Sequence, residues 1–151
     1  MTTVCLVGDP EADLRFELLS RETARDALAT YDLRSPFENS LALDTVSLGA
    51  AVSLCNDLNW YLVRFVDEVL IREPSVSTDE WLSRDLATAV RNDAIRREET
   101  DQFLKVYGVE EGRLVEPMYL ARADGVELPE YDLRDVEETV GVRVTREEFE
   151  G

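Results

Sequence analysis

Residues 3–8 read Thr-Val-Cys-Leu-Val-Gly, and residues 9–13 continue as Asp-Pro-Glu-Ala-Asp. The first segment is mainly apolar and predicts a buried strand, whereas the second has the composition of a turn. Leu14 to Leu18 then alternates apolar and charged residues, and this period of two predicts a half-buried strand. We therefore expect an antiparallel N-terminal β-hairpin. A helix from Pro10 to Tyr31 is the alternative.

The next part of the chain predicts a strand followed by a helix. Leu41 to Val46 has the composition of a strand, and the apolar residues from Leu48 to Leu58 recur at helical spacing. Trp60 to Val66 is rich in aromatic and β-branched residues, which favours a buried strand. One long helix from Leu48 to about Ile71 fits the same apolar spacing and remains open.

Helix-capping residues predict three more helices. They are Arg21 to Thr30 after Ser20, a helix carrying Trp81 to Val90 after the capping box Ser77 to Glu80, and Glu98 to Tyr107 before Gly108. Shorter patterns follow in the last third of the chain. They predict strands at Leu114 to Ala123, Val126 to Leu128 and Val142 to Thr145, a turn at Asp124-Gly125, and a helix from Leu133 to Val140 capped by Asp132.

Together these elements predict an α+β fold. A small mixed sheet, made from the N-terminal β-hairpin and one or two further strands, is expected to pack against helices. The length of 151 residues fits one domain with a small appendage. We place a core domain at residues 1–108. Residues 109–151 carry thirteen acidic and five basic residues, and we expect a short acidic α/β extension there, packed on or loosely attached to the core.

The charge balance is the strongest compositional signal. Asp and Glu number 33 against 16 Lys and Arg, Lys105 is the sole lysine, histidine is absent, and the formal net charge is −17. In molar salt the Debye length is about 3 Å, so repulsion between the carboxylates is screened. The composition therefore predicts a halophile-adapted cytosolic protein. A hydrophobic content of 44% excludes disorder for most of the chain.

Cys5 and Cys55 both lie in apolar stretches, which predicts buried, unreactive thiols. Two cysteines without histidine do not supply the four ligands of a structural zinc site, and neither thiol has an imidazole base nearby to activate it. The longest uncharged stretch, Thr45 to Asn56, is too short to span a membrane. No basic leader precedes the first strand, so we expect a cytoplasmic location.

The turn after the first strand places three carboxylates close together, on Asp9, Glu11 and Asp13. Oxygen ligands of this type suit a hard cation such as Mg²⁺, so the turn is a candidate metal site. In a chain this acidic, a solvated turn is the simpler interpretation. We therefore predict no resident cofactor.

A polar and aromatic cluster interrupts the apolar middle of the chain. Asn56, Asp57, Asn59 and Trp60 are candidate ligand-pocket residues, because amides and a carboxylate beside a large aromatic ring are typical of binding pockets. The same residues also suit a helix end that turns into the next strand.

The negative net charge of the chain disfavours nucleic-acid binding, which depends on neutralising phosphates with Lys and Arg. A local basic patch is still conceivable, because four arginines fall on or near the two adjacent helices predicted after residue 77. They are Arg84, Arg91, Arg96 and Arg97. With a wing hairpin at Leu114 to Leu128 they would form a winged helix, although the recognition helix would offer only Lys105.

Two stretches resemble a known family. Residues 4–10, Val-Cys-Leu-Val-Gly-Asp-Pro, and residues 56–67, Asn-Asp-Leu-Asn-Trp-Tyr-Leu-Val-Arg-Phe-Val-Asp, are similar to a haloarchaeal family of small acidic proteins of unknown function. The resemblance covers most of the chain. It implies a haloarchaeal host and a cytoplasmic setting, and it brings no catalytic residues.

The leading functional prediction is a non-enzymatic regulatory or protein-interaction module, which binds another protein or a second copy of itself. Trp81 and Tyr119 are candidate interface anchors on condition that they are exposed. One alternative is a carboxylate-based ligand-binding domain or a Mg²⁺-dependent enzyme domain, which a deep pocket near Asn56 and Asp57 lined by converging acids would favour. The second alternative is the winged-helix nucleic-acid binder.

Overall fold

The computed structural model describes residues 1–122 and 138–151 and confirms an α+β fold. Its strands are β1 (Thr2–Gly8), β2 (Ser40–Thr45), β3 (Val66–Arg72), β4 (Trp81–Ser83), β5 (Phe103–Glu110), β6 (Arg113–Ala121) and β7 (Glu138–Arg143). Its helices are α1 (Leu14–Leu19), α2 (Glu22–Leu28), α3 (Leu48–Asp57), α4 (Asn59–Phe65), α5 (Arg84–Arg91) and α6 (Arg146–Glu150), with a 3₁₀ turn at Arg97–Glu99.

The described strands form one seven-stranded mixed sheet in the order β2-β1-β3-β4-β7-β5-β6. Every pairing is antiparallel except β4 with β7, which is parallel. Cys5 on β1 lies opposite Ala42 on one side and Leu70 on the other, so β1 is an inner strand. The sheet is therefore larger than the small sheet that the sequence predicts.

The two faces of the sheet have separate apolar clusters, because side chains alternate along each strand. Val4 and Leu6 of β1 point to the face covered by helices, where they join Leu14 and Leu18 of α1. Cys5 belongs to the second cluster, on the opposite face. Its buried members there include three residues from the last described segment, namely Val140, Val142 and Val144.

The opposite face is concave. Side chains of Glu68 on β3 and Lys105 on β5 contact each other, although β4 and β7 lie between those strands in the sheet. Adjacent strands are separated by about 4.8 Å, so a flat sheet would hold these backbones roughly 14 Å apart. The backbone N–H of Glu38, just before β2, also donates to the carbonyl of Gly112 in the β5–β6 turn at 2.8 Å. The sheet therefore curls so strongly that the segment before β2, at one edge, contacts the β5–β6 turn at the other edge.

The predicted N-terminal hairpin is wrong, because Leu14–Leu18 is helical. Asp13 caps α1 by accepting a hydrogen bond from the Phe16 N–H at 3.2 Å. Leu14 and Leu18 are four residues apart and both fully buried, which is the spacing of one helix face. The alternative, one helix from Pro10 to Tyr31, is also wrong, since α1 ends before α2 begins. Ser20 ends α1 and does not cap α2, whose N-cap is Arg21.

The strand predicted at Trp60 to Val66 is wrong as well. These residues form α4, and the chain becomes strand β3 only at Val66. Leu58 and Leu62, one helical turn apart, are both buried, and this contact with the core decides against the strand preference of the aromatic residues. A single helix to Ile71 is excluded too, because α3 ends at Asp57 and β3 carries Ile71.

Two predicted helices of the second half are partly or wholly strand. Ser77 accepts a hydrogen bond from the Glu80 N–H at 3.0 Å, but the chain then extends into β4, and Ser83 caps the shorter helix α5. The helix predicted from Glu98 to Tyr107 is wrong, since Phe103 to Tyr107 belong to β5 and only the 3₁₀ turn Arg97–Glu99 is helical there. Pairing with β6 and β7 on both sides decides this outcome.

Several local predictions are confirmed. The strands at Thr3 to Gly8, Leu41 to Val46 and Leu114 to Ala123 correspond to β1, β2 and β6, and the helix after Leu48 corresponds to α3. The Asp124-Gly125 turn, the Val126 to Leu128 strand and the start of the Leu133 helix lie outside the described residues. Glu138 to Val140, predicted as the end of that helix, is strand, and the strand predicted from Val142 belongs to the same β7.

The C-terminal part of the chain contributes to the middle of the sheet. β7 lies between β4 and β5. Arg143 at its end and Arg122 after β6 both donate to the buried carboxylate of Glu80, at 2.8 and 2.6 Å. A division into a core at residues 1–108 and an extension at 109–151 stays a prediction.

Candidate functional site

A cavity of about 650 Å³ lies at the end of β1, where the curled sheet is open. We call it the mouth cavity. It is lined by Val7, Gly8, Pro10, Glu11, Ala12, Asp13, Glu38, Asn39, Asp67, Glu68, Tyr107, Arg113 and Leu114. Its volume is in the range of about 300–1,000 Å³ that is typical of small-molecule sites.

Asn39 organises one wall of the mouth cavity. Its side-chain amide donates to the carbonyls of Asp9 and Ala12 at 3.0 and 2.9 Å, and its amide oxygen accepts from the Leu14 N–H at 2.9 Å. The residue has φ of 56°, a left-handed conformation that Asn tolerates better than most residues. One side chain thus fixes the whole loop between β1 and α1.

Gly8 permits the close approach that these hydrogen bonds need. Its N–H donates to the Asn39 carbonyl at 2.8 Å. A Cβ at position 8 would lie 2.6 Å from the side-chain nitrogen of Asn39 and 2.9 Å from its carbonyl oxygen. A larger residue would therefore displace Asn39 and the loop that it holds.

A buried triad lies beside the mouth cavity on the concave face. The Glu68 carboxylate accepts hydrogen bonds from the Lys105 ammonium and from the Tyr107 hydroxyl, the latter at 2.6 Å. The side chains of Lys105 and Glu68 are only 12% and 13% exposed. Burial, reinforced by the neighbouring Glu68 charge, raises the pKa of Tyr107. The hydroxyl therefore stays a hydrogen-bond donor at neutral pH.

The rim of the mouth cavity carries more negative than positive side chains. In the part of the chain that the structure describes, five carboxylates line it, on Glu11, Asp13, Glu38, Asp67 and Glu68, against one guanidinium, that of Arg113. Arg113 pairs with Glu38 through two hydrogen bonds, at 2.9 and 2.7 Å, and this pairing lowers the pKa of Glu38. Desolvation, together with repulsion from Asp9 and Glu68, raises the pKa of Asp67. The rim is therefore a region of negative potential.

The predicted metal ligands lie in or beside this cavity, and two of their three carboxylates accept hydrogen bonds from the backbone. Asp9 accepts from the Glu11 N–H at 2.8 Å, and Asp13 caps α1. Across residues 1–122 and 138–151, no three acidic or cysteine side chains are grouped so that they could hold a metal ion. Glu11 and Asp13 line the mouth cavity, whereas Asp9 acts through its charge on Asp67. A Mg²⁺ site in this loop stays a prediction.

The predicted ligand-pocket residues lie elsewhere, at the junction of α3 and α4. Asn56, Asp57 and Asn59 are exposed, and none of them lines the mouth cavity. Asn56 accepts a hydrogen bond from Arg84 at 3.3 Å, which fits a polar helix end. Trp60 is 48% exposed on the outer side of α4, so its ring is available to a partner on the surface.

The two interface candidates differ in exposure. Trp81 is 6% exposed and packs in the concave core, with the Arg72 guanidinium 4.0 Å from its ring centre. It does not meet the condition of exposure. Tyr119 is 49% exposed on β6 and has an edge contact with Phe149 at 6.3 Å between ring centres, so it meets that condition.

The arrangement required for a winged helix is absent from the described residues. Its recognition helix was predicted at Glu98 to Tyr107, whose second half is strand β5, and Lys105 there is buried against Glu68. Arg84 donates to the carbonyl of Cys55 and to Asn56. Both cysteines are buried free thiols, as predicted, and burial raises the pKa of Cys5 to about 12 and that of Cys55 to about 11.

Sequence patterns missed four residues that shape the mouth cavity. They are Asn39, Glu68, Tyr107 and Arg113. Only Asn39 carries a recognisable local signal, because Asn before a strand is typical of a turn. Glu68 and its partner Lys105 are separated by 37 positions in the sequence, and no spacing rule connects them.

The fold and its cavity define a small α+β protein with a curled mixed sheet that is open at one end. Residues 2–109 match a family of unknown function (DUF5804), and the chain belongs to that family. The expected membership of an unknown-function family is thereby confirmed. Neither the curated proteins nor the solved structures yield a match. No helix among the described residues has the length and apolarity needed to cross a bilayer.

Proposed function

We propose that this chain is a non-enzymatic binding protein whose mouth cavity holds an organic cation with an apolar body. The observation that carries this proposal is the cavity itself, with five carboxylates and one guanidinium around about 650 Å³. Among the predicted functions, the ligand-binding alternative required a pocket lined by converging acids. Such a pocket is present, but it lies beside the Gly8–Asp13 loop and away from Asn56 and Asp57.

The lining explains why the ligand would have an apolar part. Val7 and Leu114 belong to the apolar cluster of the concave face, and Tyr107 packs beside them. Ligand pockets generally combine such apolar walls with a few polar groups that fix orientation. A bare metal ion would leave these walls without a partner, whereas an alkyl or aryl ammonium would contact both the walls and the acids.

The hydrogen bonds indicate where the ammonium would lie. Glu68 is already occupied by Lys105 and Tyr107, and Glu38 by Arg113. Asp13 caps α1, whereas Glu11 and Asp67 have no hydrogen-bond donor or ion-pair partner among the described residues. We place the ammonium beside Asp67 because repulsion from Asp9 and Glu68 acts on it. A ligand ammonium beside Asp67 would relieve that repulsion and restore the ordinary preference of the carboxyl for its charged form.

An ion pair across the rim of the mouth cavity controls entry of the ligand in this proposal. Glu38 and Arg113 join the chain before β2 to the β5–β6 turn, and their side chains are themselves 50% and 67% exposed. Solvent screens an exposed ion pair, so these two side chains can separate at little cost while the backbone hydrogen bond from Glu38 to Gly112 is kept. We propose that its opening admits the ligand and that its closure covers it.

Calorimetric titration with three small probes tests the proposal. The probes are phenethylamine, the matched carboxylate 3-phenylpropionate, and Mg²⁺ alone. We expect phenethylamine to bind, because it supplies an ammonium and an apolar ring. Asp67→Asn should weaken this binding about fivefold, since a charge-assisted contact at a partly exposed site contributes about 1 kcal/mol.

Asp57→Asn is the matched control, because it removes the same charge from the predicted pocket at the α3–α4 junction. It should leave phenethylamine binding unchanged. Equal binding of the amine and the carboxylate, or equal loss in both variants, would overturn the proposal. Binding of Mg²⁺ alone that is lost in Asp67→Asn would replace it with a metal site.

Protein interaction, which the sequence places first, is a second candidate function. It is favoured by the exposed indole of Trp60 and by Val63 on the same helix, which is 71% exposed. A photo-crosslinking amino acid in place of Val63 should form adducts with a partner protein in living cells. The same amino acid in place of Val46, an 80% exposed residue outside α4, is the control. Equal adducts at both positions would contradict this function.

The carboxylate excess is proposed to be an adaptation to high salt, and the cytoplasmic location also stays a prediction. The support is the net charge of −17, whose repulsion destabilises a compact chain in dilute buffer. The free energy of unfolding should therefore rise when KCl is increased to molar concentration, where charges are screened within about 3 Å. A free energy of unfolding that does not change with KCl would remove this part of the proposal.

A further inference from the structure

The outer side of α4 carries a surface that is unlike the rest of this acidic chain. Trp60 and Val63 are one helical turn apart, so they share one side of the helix, and both are exposed. Leu62 faces the core on the opposite side. Arg64 and Arg21 lie against the indole, with guanidinium carbons 3.9 and 5.5 Å from its ring centre. We call these four residues the arginine–tryptophan surface.

One of the two cations is available to a partner. Arg21 already pairs with Glu17 at 3.0 Å. Arg64 donates to the carbonyl of Trp60 at 2.8 Å, and no carboxylate in residues 1–122 or 138–151 forms an ion pair with it. Several other arginines also lack an ion-pair partner among the described residues, and Arg64 is the one of them that stacks on an exposed tryptophan. It remains free to bind an acid from another molecule.

The geometry favours a protein over a nucleic acid. Single-stranded nucleic acids bind by stacking bases on open aromatic faces and by neutralising many phosphates. Here the Arg64 guanidinium already covers the indole at 3.9 Å, and among the described residues only Arg64 and Arg21 contact the ring as cations. Tryptophan and arginine are instead among the residue types that are enriched in protein-interface hot spots.

The same charges disfavour a symmetric pair of this chain. A two-fold contact centred on this surface would bring Arg64 of one copy close to Arg64 of the other, without supplying an acid to either. A partner with acidic residues around an apolar anchor is complementary in charge and in contact area.

We infer that the arginine–tryptophan surface docks an acidic segment of another protein, with Leu or Phe against Trp60 and Val63 and a carboxylate on Arg64. This inference rests on the second candidate function, protein interaction, and is independent of the mouth cavity. The carboxylate would form a charge-assisted, two-point contact with the guanidinium. The aliphatic or aromatic anchor would cover the apolar part of the surface.

Two labelled peptides test the inference by fluorescence polarisation. One carries Leu-Phe flanked by Asp and Glu, and the other carries the same Leu-Phe flanked by Asn and Gln. The acidic peptide should bind at least tenfold more tightly in low salt. It should also change the emission of the exposed Trp60, since the other tryptophan, Trp81, is buried.

Surface variants locate the contact. Val63→Asp should weaken acidic-peptide binding about tenfold or more, because it introduces a like charge and removes apolar contact. Arg64→Gln should reduce the preference for the acidic peptide over its amide counterpart. Val46→Asp is the control with the same substitution at another exposed valine, and it should leave binding unchanged.

The outcomes separate this inference from the function on which it rests. Crosslinked adducts at position 63 that excess acidic peptide does not reduce would support protein interaction. The same result would contradict the inference that the partner segment is acidic. Self-association that Val63→Asp abolishes would identify a second copy as the occupant and overturn it as well. Oligonucleotide binding that is lost in Trp60→Ala would overturn it in favour of a nucleic acid.

Discussion

The two faces of the sheet are built from the same strands but differ in what holds them together. The helix-covered face is apolar, with Val4 and Leu6 packed against helical leucines. The concave face mixes apolar residues with the ion pair of Glu68 and Lys105. Apolar packing is non-directional, whereas a buried ion pair requires a specific geometry and partner. The first face therefore provides most of the stability, and the second fixes the curvature that opens the mouth cavity.

Removal of one triad partner should have the largest effect. Glu68→Ala leaves the Lys105 ammonium buried without a counter-charge, and we expect a loss of about 3–5 kcal/mol in the free energy of unfolding. The control is the triple variant Glu68→Leu, Lys105→Met and Tyr107→Phe, which removes the whole polar set. It should recover stability to within about 1 kcal/mol of the wild type. Urea unfolding measures both, and equal losses would show that curvature needs the charges themselves.

Truncation on the helix-covered face should rank second. Leu6→Ala removes a fully buried side chain and should cost about 3 kcal/mol in the free energy of unfolding. Val7, its neighbour on the concave face, is only partly buried, so Val7→Ala should cost about 1 kcal/mol or less. Equal effects in urea unfolding would mean that the two faces contribute alike.

Loss of the loop organiser should rank third. Asn39→Ala removes three hydrogen bonds and places Ala in a left-handed conformation, with an expected cost of about 2 kcal/mol. Asn39→Gly keeps the conformation and removes only the side chain, so comparison of the two variants separates the hydrogen bonds from the backbone term. Hydrogen exchange of the amides of residue 9 and residues 11–13 should accelerate in both variants. Unchanged exchange would show that the loop is held by other contacts.

The smallest effect concerns the rim. The raised pKa of Asp67 means that its ionisation opposes folding, so Asp67→Asn should stabilise the protein at pH 7 by about 0.5 kcal/mol or less. Both states are protonated below the unfolded pKa of about 3.9, so the gain should disappear near pH 3. Thermal unfolding at the two pH values measures it. A gain that persists at pH 3 would have a cause other than charge.

Predictions from local sequence were reliable where the composition or apolar spacing of a segment fits only one type of secondary structure. β1 and α3 have the periodicity of their element and were correctly predicted, and the burial of Cys5 and Cys55 followed from their apolar neighbours. The signals failed where two periods fit. Leu14 and Leu18 match both alternation and helical spacing, and only contact with the core selects the helix. The prediction for Trp60 to Val66 failed because aromatic and β-branched residues favour a strand, whereas contact of Leu62 with the core selects the helix.

The candidate sites show the same division. The Gly8–Asp13 loop was recognisable as acidic, and Trp60 was recognisable as unusual in its surroundings. Their roles changed once neighbours were known, because Glu11 and Asp13 share a cavity with Tyr107 and Arg113, and Trp60 lies against two arginines. Those neighbours come from distant parts of the chain, so residue spacing carries no information about them.

The sequence by itself determined the α+β class, the strand and helix that match a single period, the buried thiols and the acidic surface. Each depends on composition or on residues within one or two turns of each other. Only the tertiary structure decided the place of β7 between β4 and β5, the contact of Glu68 with Lys105, and the closure of the loop by Asn39. These contacts join segments 27 to 37 or more residues apart, and they form only when burial of the whole core offsets the entropy of bringing the segments together.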